Sequence, residues 1–399
     1  MLKTHQLPNR VLVIDEKPEY LESLKIFLQE QKIQLHHAPS PDRLFKLIND
    51  NPFDIALISH PTFGVHGLTL LQKLRNEAKN IENQCIGGIL LSDEHQLMGK
   101  TEKFLADELG GVETITLPMT PIEVIPFLNR CWRRRNRENL YRKTKNEMIL
   151  QYEKSKSATV AVEVLQKLIP QIGDDSWYML TEFYEDIGKV DISLRLVEKI
   201  SQRTSHSDDI RLTMIKARLC LKTNNLPQSR YYFEKADHLA PMNINRVASL
   251  IDLYLLLGQP NESIAKMRDL IKMHFDVADL SFQMVDKLMD HGFHREATSF
   301  CQEIATSEEI SRYYNNRGVQ DSRSKKFSNA VLQFQRALTL GPDAKNLHKI
   351  HFNLALALLN QGGKTKALKK VESQLKKSLD NCIDFRKSML LLDELNQKW

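Results

Sequence analysis

A chain of 399 residues with 42% hydrophobic and 27% charged residues is long for one domain and too apolar for a disordered tail. Five cysteines, Cys85, Cys131, Cys220, Cys301 and Cys382, are odd in number and far apart, which excludes a disulfide framework and leaves no C-x-x-C pair for zinc or redox exchange. The net charge of +6 is uneven: residues 1–125 carry 12 Lys and Arg against 17 Asp and Glu, residues 126–158 carry 10 against 3, and the remainder 34 against 30.

The opening residues, MLKTHQLPNR, lack an apolar core, and no later run reaches the roughly eighteen apolar residues of a membrane span. A cytoplasmic protein with reduced, mostly buried thiols is expected. Residues 11–15, VLVID, read as a strand, followed by an amphipathic helix over about 19–31 with Leu21, Leu24, Phe27 and Leu28 on one face. The alternation continues with strands at 33–37, 54–59, 86–92 and 112–117 and helices at 42–49, 68–78 and about 100–109. Short apolar strands separated by helices imply a parallel sheet covered on both faces, an α/β doubly wound domain.

The stretch DIALISHPTFGVHG, residues 54–67, together with VLVID before it, resembles the third strand and following loop of a response-regulator receiver domain. The resemblance covers roughly residues 8–135. It implies an acidic pair after strand one, present as Asp15 and Glu16, loop glycines at Gly64 and Gly67, and a hydroxyl residue ending strand four, Ser92. Three positions depart from it. Ser59 stands where the family has its phosphoacceptor aspartate, Leu117 with Pro118 replaces its Lys-Pro, and Thr114 replaces the aromatic switch residue.

A serine hydroxyl is neutral and needs a base to attack, and leucine cannot make the charge-assisted contact of lysine with phosphoryl oxygens. Phosphoryl transfer is therefore not expected, and Asp15 with Glu16, lacking a third carboxylate, would hold Mg²⁺ weakly at most. His60 and His66 are expected as exposed loop histidines.

After Pro118 a basic helix is expected to begin near Pro121, its first part closing the receiver and residues 129–157 forming a linker. Arg130, Arg133, Arg134, Arg135, Arg137, Arg142, Lys143 and Lys145 surround a sparse apolar face of Trp132, Leu140, Met148, Ile149 and Tyr152. Three readings stand for it: a grip on nucleic-acid phosphates, an anionic membrane surface, and a solvated signalling or dimerising helix that also contacts acidic surface elsewhere in the protein. The third is preferred, since clustered cations without a recognition motif give only non-specific binding.

From about residue 174 the chain repeats with a period of about 34 residues, resembling stacked helix pairs of the tetratricopeptide kind. Units begin at Asp174, Ile210, Ile244, Ala278, Ser311 and His348. The clearest carries Ala217, Phe233, Ala236 and Pro241; another carries Gly318, Ala330, Phe334, Ala337 and Pro342; the last includes Leu354, Ala355, Gly362 and Ala367. The array is expected over 158–399, with 158–172 and a helix near 384–397 as caps.

Such repeats have no catalytic chemistry and expose a concave face for a protein segment. Outward positions place Asp175, Glu182, Glu185 and Asp186 in the first unit, Arg211, Arg218 and Lys222 in the second, and Asp279, Phe282, Asp286 and Asp290 in the fourth, with Phe282 as the apolar anchor. The expectation is a non-catalytic adaptor in two-component signalling. Its receiver, residues 1–128, has lost phosphorylation chemistry, and its array binds a histidine kinase, a phosphotransfer protein or another regulator. A homodimer through the receiver or connector helix is a further expectation; the rival is a nucleic-acid-associated regulator using the basic connector.

Overall fold

The computed structural model describes residues 7–16, 19–79, 83–93, 99–203, 209–272, 277–342, 344–361 and 366–398. The chain divides into two compact units, Met1–Val277 and Ala278–Trp399. The first opens with β1 (Arg10–Ile14), α1 (Leu21–Glu30), β2 (Gln34–Ala38), α2 (Pro41–Asp50), β3 (Ile55–His60), α3 (Gly67–Glu77), β4 (Gly87–Asp93), α4 (Lys100–Glu108) and β5 (Glu113–Leu117). All strand pairs are parallel, in the order β2-β1-β3-β4-β5.

The strands read as unbroken apolar runs because both faces are covered. Leu12, Ile14, Ala56, Ile58 and Leu90 pack with α2, α3 and α4, while Val11, Val13, Leu57, Ile89 and Leu91 pack with α1 and the following helix. Alternate residues of a strand point to opposite faces, so one run supplies both cores.

That following helix, α5 (Pro121–Ser155), is one element of 35 residues, about 50 Å at the α-helical rise. Pro121 sits in its first turn, where no intrahelical N–H partner is needed, and the Glu123 carboxylate accepts from Thr120 N at 2.7 Å. Its first half buries Val124, Leu128 and Cys131 against the sheet. Its second half buries Met148, with Leu140, Tyr141, Ile149 and Tyr152, against α6 (Ala158–Ile172) and α7 (Asp175–Asp186). Residues 129–157, expected as a linker, therefore belong to both neighbours: they finish the receiver-like domain and supply the first helix of the helical region. The segment 158–172 is the second helix of that pair rather than a cap.

The first unit continues with α8 (Val190–Arg203), α9 (Ile210–Lys222), α10 (Leu226–Leu239), α11 (Ile244–Leu256) and α12 (Pro260–Lys272). In α8, α10 and α12 a serine donates to a carbonyl of the preceding helix: Ser193 to Thr181 O at 2.9 Å, Ser229 to Ala217 O at 2.8 Å, Ser263 to Ile251 O at 2.9 Å. All three serines are fully buried, and each hydroxyl is satisfied by that carbonyl. The turn within a pair repeats as well, with Gly188, Asn224 and Gly258 at left-handed φ of 75°, 58° and 72°.

The second unit comprises α13 (Val277–Asp290), α14 (His294–Ile304), α15 (Ser307–Arg323), α16 (Phe327–Leu340), α17 (Leu347–Asn360), α18 (Lys366–Asn381) and α19 (Arg386–Lys398). The starts of α13 and α17 lie within one residue of the expected Ala278 and His348, while α15 begins four residues before Ser311. Gly362 lies outside the described residues. Among the described residues no helix is long and apolar enough to cross a membrane.

Candidate functional site

Parallel pairing of β1 with β3 brings Asp15 and Ser59 together where the two strands end. The Ser59 hydroxyl donates to Asp15 Oδ2, and so does the Tyr20 phenol at 3.0 Å, which also lies 3.4 Å from Ser59 Oγ. Burial holds the Tyr20 proton far above the usual phenol range; the Ser59 hydrogen bond works against this and the Asp15 charge reinforces it. Glu16 Oε1 accepts from Phe63 N at 2.9 Å. Tyr20, the residue that caps the start of α1, carries no motif that singles it out in the sequence.

The resemblance to receivers implies Mg²⁺ here, but these residues do not fit it. One Asp15 oxygen already takes two hydroxyl donors, one Glu16 oxygen takes a backbone N–H, and Ser59 offers a neutral hydroxyl where a third hard anionic ligand is needed. Ser92 is buried near the end of β4, opposite His60, and Leu117 packs into the apolar cluster of Val13 and Leu24. The strand end that would carry a lysine is apolar.

His60 and His66 correct the expectation of exposed loop residues. Both are half-buried, with ring centroids 4.1 Å apart. His60 Nδ1 accepts from Gly67 N at 3.1 Å, and His66 Nδ1 caps α3 by accepting from Leu68 N at 3.2 Å while its Nε2 faces Glu102 Oε1 at 2.8 Å. Burial, then the neighbouring His66, lowers the His60 pKa. Ligand atoms of His60, His66 and Glu102 lie within 4.8 Å of one another. With both Nδ1 atoms accepting N–H groups, both neutral rings carry their proton on Nε2, so a metal there would have to break two backbone contacts. The trio is a loop brace.

Five cations of the basic connector are ion-paired within the chain. Arg130 and Arg134 reach Glu113 at 3.1 and 2.6 Å, the buried Arg135 reaches Asp54 at 3.3 Å, Arg137 meets Asp175 at 2.8 Å, and Lys145 pairs with Glu182 and Asp186 at 3.3 and 2.9 Å.

The expected groove residues form a ladder on the next helices. Arg211 lies over the rings of Tyr141 and Tyr178, each at 4.6 Å, and reaches Asp175 at 3.3 Å. Arg218 forks onto Glu185 with contacts of 3.0–3.2 Å, and Lys222 joins the same carboxylate at 3.4 Å. Burial raises the Glu182 carboxyl, but Lys145, Arg211 and Arg218 outweigh it and hold the group below the usual range. These cations stay partly exposed while satisfied by α7. Reversing Arg218 to glutamate would set it against Glu182 and Glu185, so it would disturb the fold as well as a partner.

In the second unit Phe282 is only 6% exposed and stacks on Tyr313 with centroids 3.9 Å apart. It is a core residue, not a ring standing open in a groove. Asp286 accepts from Tyr314 OH, Arg317 and the buried Arg336 at 3.1, 2.7 and 2.6 Å, so it is an internal partner too. Outward projection along an ideal helix missed both, since each neighbouring helix covers part of the supposed outer face.

In the first unit a cavity of about 1070 Å³ lies between the receiver-like domain, the second half of α5 and helices α7 and α9. Glu108, Tyr141, Arg142, Glu182, Arg211 and Arg218 are among its walls.

No protein-family model matches the chain. Over 124 residues it is 27% identical to the response regulator GtcR of Aneurinibacillus migulanus, covering 31% of this chain and 48% of that protein. The chain thus matches about half the length of this curated relative. A CheY-like receiver domain from Methanospirillum hungatei JF-1 is similar at 17% identity, with 33% of this chain and 98% of that one covered and a TM-score of 0.28. YrrB, a tetratricopeptide protein with an unusual peptide-binding site, gives 13%, 57% and 96% with a TM-score of 0.28. A tetratricopeptide protein from Parabacteroides merdae ATCC 43184 gives 12%, 63% and 99% with a TM-score of 0.33.

The chain is a receiver-like domain followed by tetratricopeptide-like helices. The parallel sheet order, the response-regulator likeness over its sequence and the phased helix pairs carry that statement.

Proposed function

We propose that this protein is a non-catalytic, cytoplasmic adaptor of two-component signalling, whose helical region binds a protein partner and whose receiver acts without accepting a phosphoryl group. The partner class is a histidine kinase, a phosphotransfer protein or another regulator. The observation that carries the reading is the hydrogen bond from Ser59 to Asp15 beneath Tyr20. A phosphoacceptor must be an exposed anionic oxygen next to a bound cation; here the position holds a neutral donor, and its acidic neighbour is engaged by two hydroxyls. Leu117 adds no cation for the phosphoryl oxygens.

The nucleic-acid reading loses its main support in the ion pairs that Arg130, Arg134, Arg135, Arg137 and Lys145 make inside the chain. Counterion release requires cations available to phosphates.

Incubation of the full chain with acetyl phosphate and Mg²⁺, followed at once by intact-mass measurement, tests the receiver half of the reading. No phosphorylated species is expected for the wild type. A phosphoryl group mapped to residues 54–67 would overturn it.

A further inference from the structure

The receiver and the helices of the first unit are joined at a second place besides α5. The Gln72 side chain on α3, in a residue only 3% exposed, donates from Nε2 to Met242 O at 2.9 Å and accepts from Ile244 N at 2.8 Å. One carboxamide thus satisfies the backbone on both sides of the turn between α10 and α11, from 170 residues away in sequence. Met242 holds a left-handed φ of 78°, a conformation that a non-glycine residue keeps only when its surroundings fix it.

Apolar packing surrounds this contact. Ile210 and Ala240, with the half-buried Met214, Leu239 and Met242, belong to the same cluster as Leu71, Leu74 and Leu105 of the receiver. The fully buried Arg246 reaches Glu108 of α4 at 2.7 Å, and at the exposed rim Asn76 Nδ2 donates to Asn245 Oδ1 at 3.0 Å. The seam lies on the α3–α4 side of the sheet, whereas α5 departs from the opposite side. Between these two attachments lies the cavity, with Phe104, Asp107 and Glu108 of the receiver among its walls together with Glu182, Arg211 and Arg218 of the first helices.

We infer that the receiver is a lid over the groove of the first helix pairs, clasped shut in cis by Gln72 and the Leu239–Arg246 turn. The inference rests on the proposed function in taking those first helices as partner-binding surface. A partner segment that reaches Arg211 or Arg218 must enter the space that the receiver bounds. Release of the clasp widens that space without any change at Ser59.

Two variants of the full chain test the lid. Gln72→Ala removes both backbone contacts. Asn76→Asp with Asn245→Asp sets two carboxylates against each other at an exposed rim, where neither domain depends on them for folding. Amide hydrogen exchange over residues 239–246 and α3 is read together with the radius of gyration from solution scattering. In each variant exchange at the seam should rise by about tenfold or more while β1 and β3 keep their protection, and the molecule should expand. Unchanged protection and dimensions in both variants would overturn the lid, as would wild-type protein whose seam amides exchange like unprotected ones. If Gln72→Ala unfolds the whole receiver while the aspartate pair leaves the seam closed, the seam is only core and the lid is wrong. A seam that opens as expected in an array that binds no protein segment would sink the adaptor reading and leave the clasp standing.

Discussion

Gly318→Leu is expected to lower the stability of the second unit by about 3 kcal/mol, near the upper end of the usual cost of overpacking a filled core. A Cβ at Gly318 would lie 2.6, 2.8 and 2.9 Å from Cε1, Cδ1 and Cζ of Phe334. That ring is 1% exposed and cannot swing into solvent. Gly318→Ala is the milder member of the series: alanine gains about 1 kcal/mol of helix propensity over glycine, which offsets part of the clash. Denaturant unfolding followed by circular dichroism reads the difference. Adding Phe334→Ala to Gly318→Leu should recover part of the loss, because the two side chains compete for one space. Equal stability of Gly318→Leu and wild type would mean that α15 and α16 do not approach as described.

Arg246→Ala is expected to cost the first unit about 3–5 kcal/mol, the range for breaking a buried ion pair by removing one partner. Arg246 is fully buried, donates to Glu108 Oε1 at 2.7 Å and to Ala240 O, and lies 3.7 Å from Asp237 across a gap too wide for a hydrogen bond. Truncation would strand the Glu108 carboxylate in the seam and leave the end of α10 without its donor. The control is Arg246→Met with Glu108→Leu, which removes both charges and keeps the volume; it should unfold closer to wild type than Arg246→Ala does. Urea midpoints of the three proteins decide the matter. Indistinguishable midpoints for Arg246→Ala and wild type would show that Arg246 does not tie α4 to α10.

Much of this architecture was readable from local pattern. The runs at 11–15, 54–59, 86–92 and 112–117 became strands within about two residues of their expected ends, because a strand buried on both faces shows itself as an unbroken apolar run. Repeat starts at 210 and 244 coincide with the first residues of α9 and α11, since the same small residues recur wherever two helices touch. The first helix pair was missed for a physical reason: the second half of α5 sets its few buried positions, Thr144 and Met148, among the exposed Arg142, Lys143 and Asn146. The remaining pattern of Leu140, Met148, Ile149 and Tyr152 looked too thin for a core helix.

The site residues were less legible. Ser59 and Asp15 could be placed together because parallel strand ends converge by rule. Phe282 and Asp286 could not be placed, because their burial depends on Tyr313, Tyr314, Arg317 and Arg336 of later helices. The clasp leaves no local trace, since Gln72 on an amphipathic helix reads as a solvated polar residue until the turn at Met242 comes against it.

The claim at the centre of this account is that the receiver, with Ser59 and Tyr20 hydrogen-bonded to Asp15 and its seam to the helices closed, does not switch with phosphodonors. Amide hydrogen exchange of the intact chain, recorded with and without acetyl phosphate and Mg²⁺, measures that directly. The account predicts superimposable protection over β3, the loop to α3 and residues 239–246. A phosphodonor-dependent change in protection at the Ser59 loop or at the seam would contradict it.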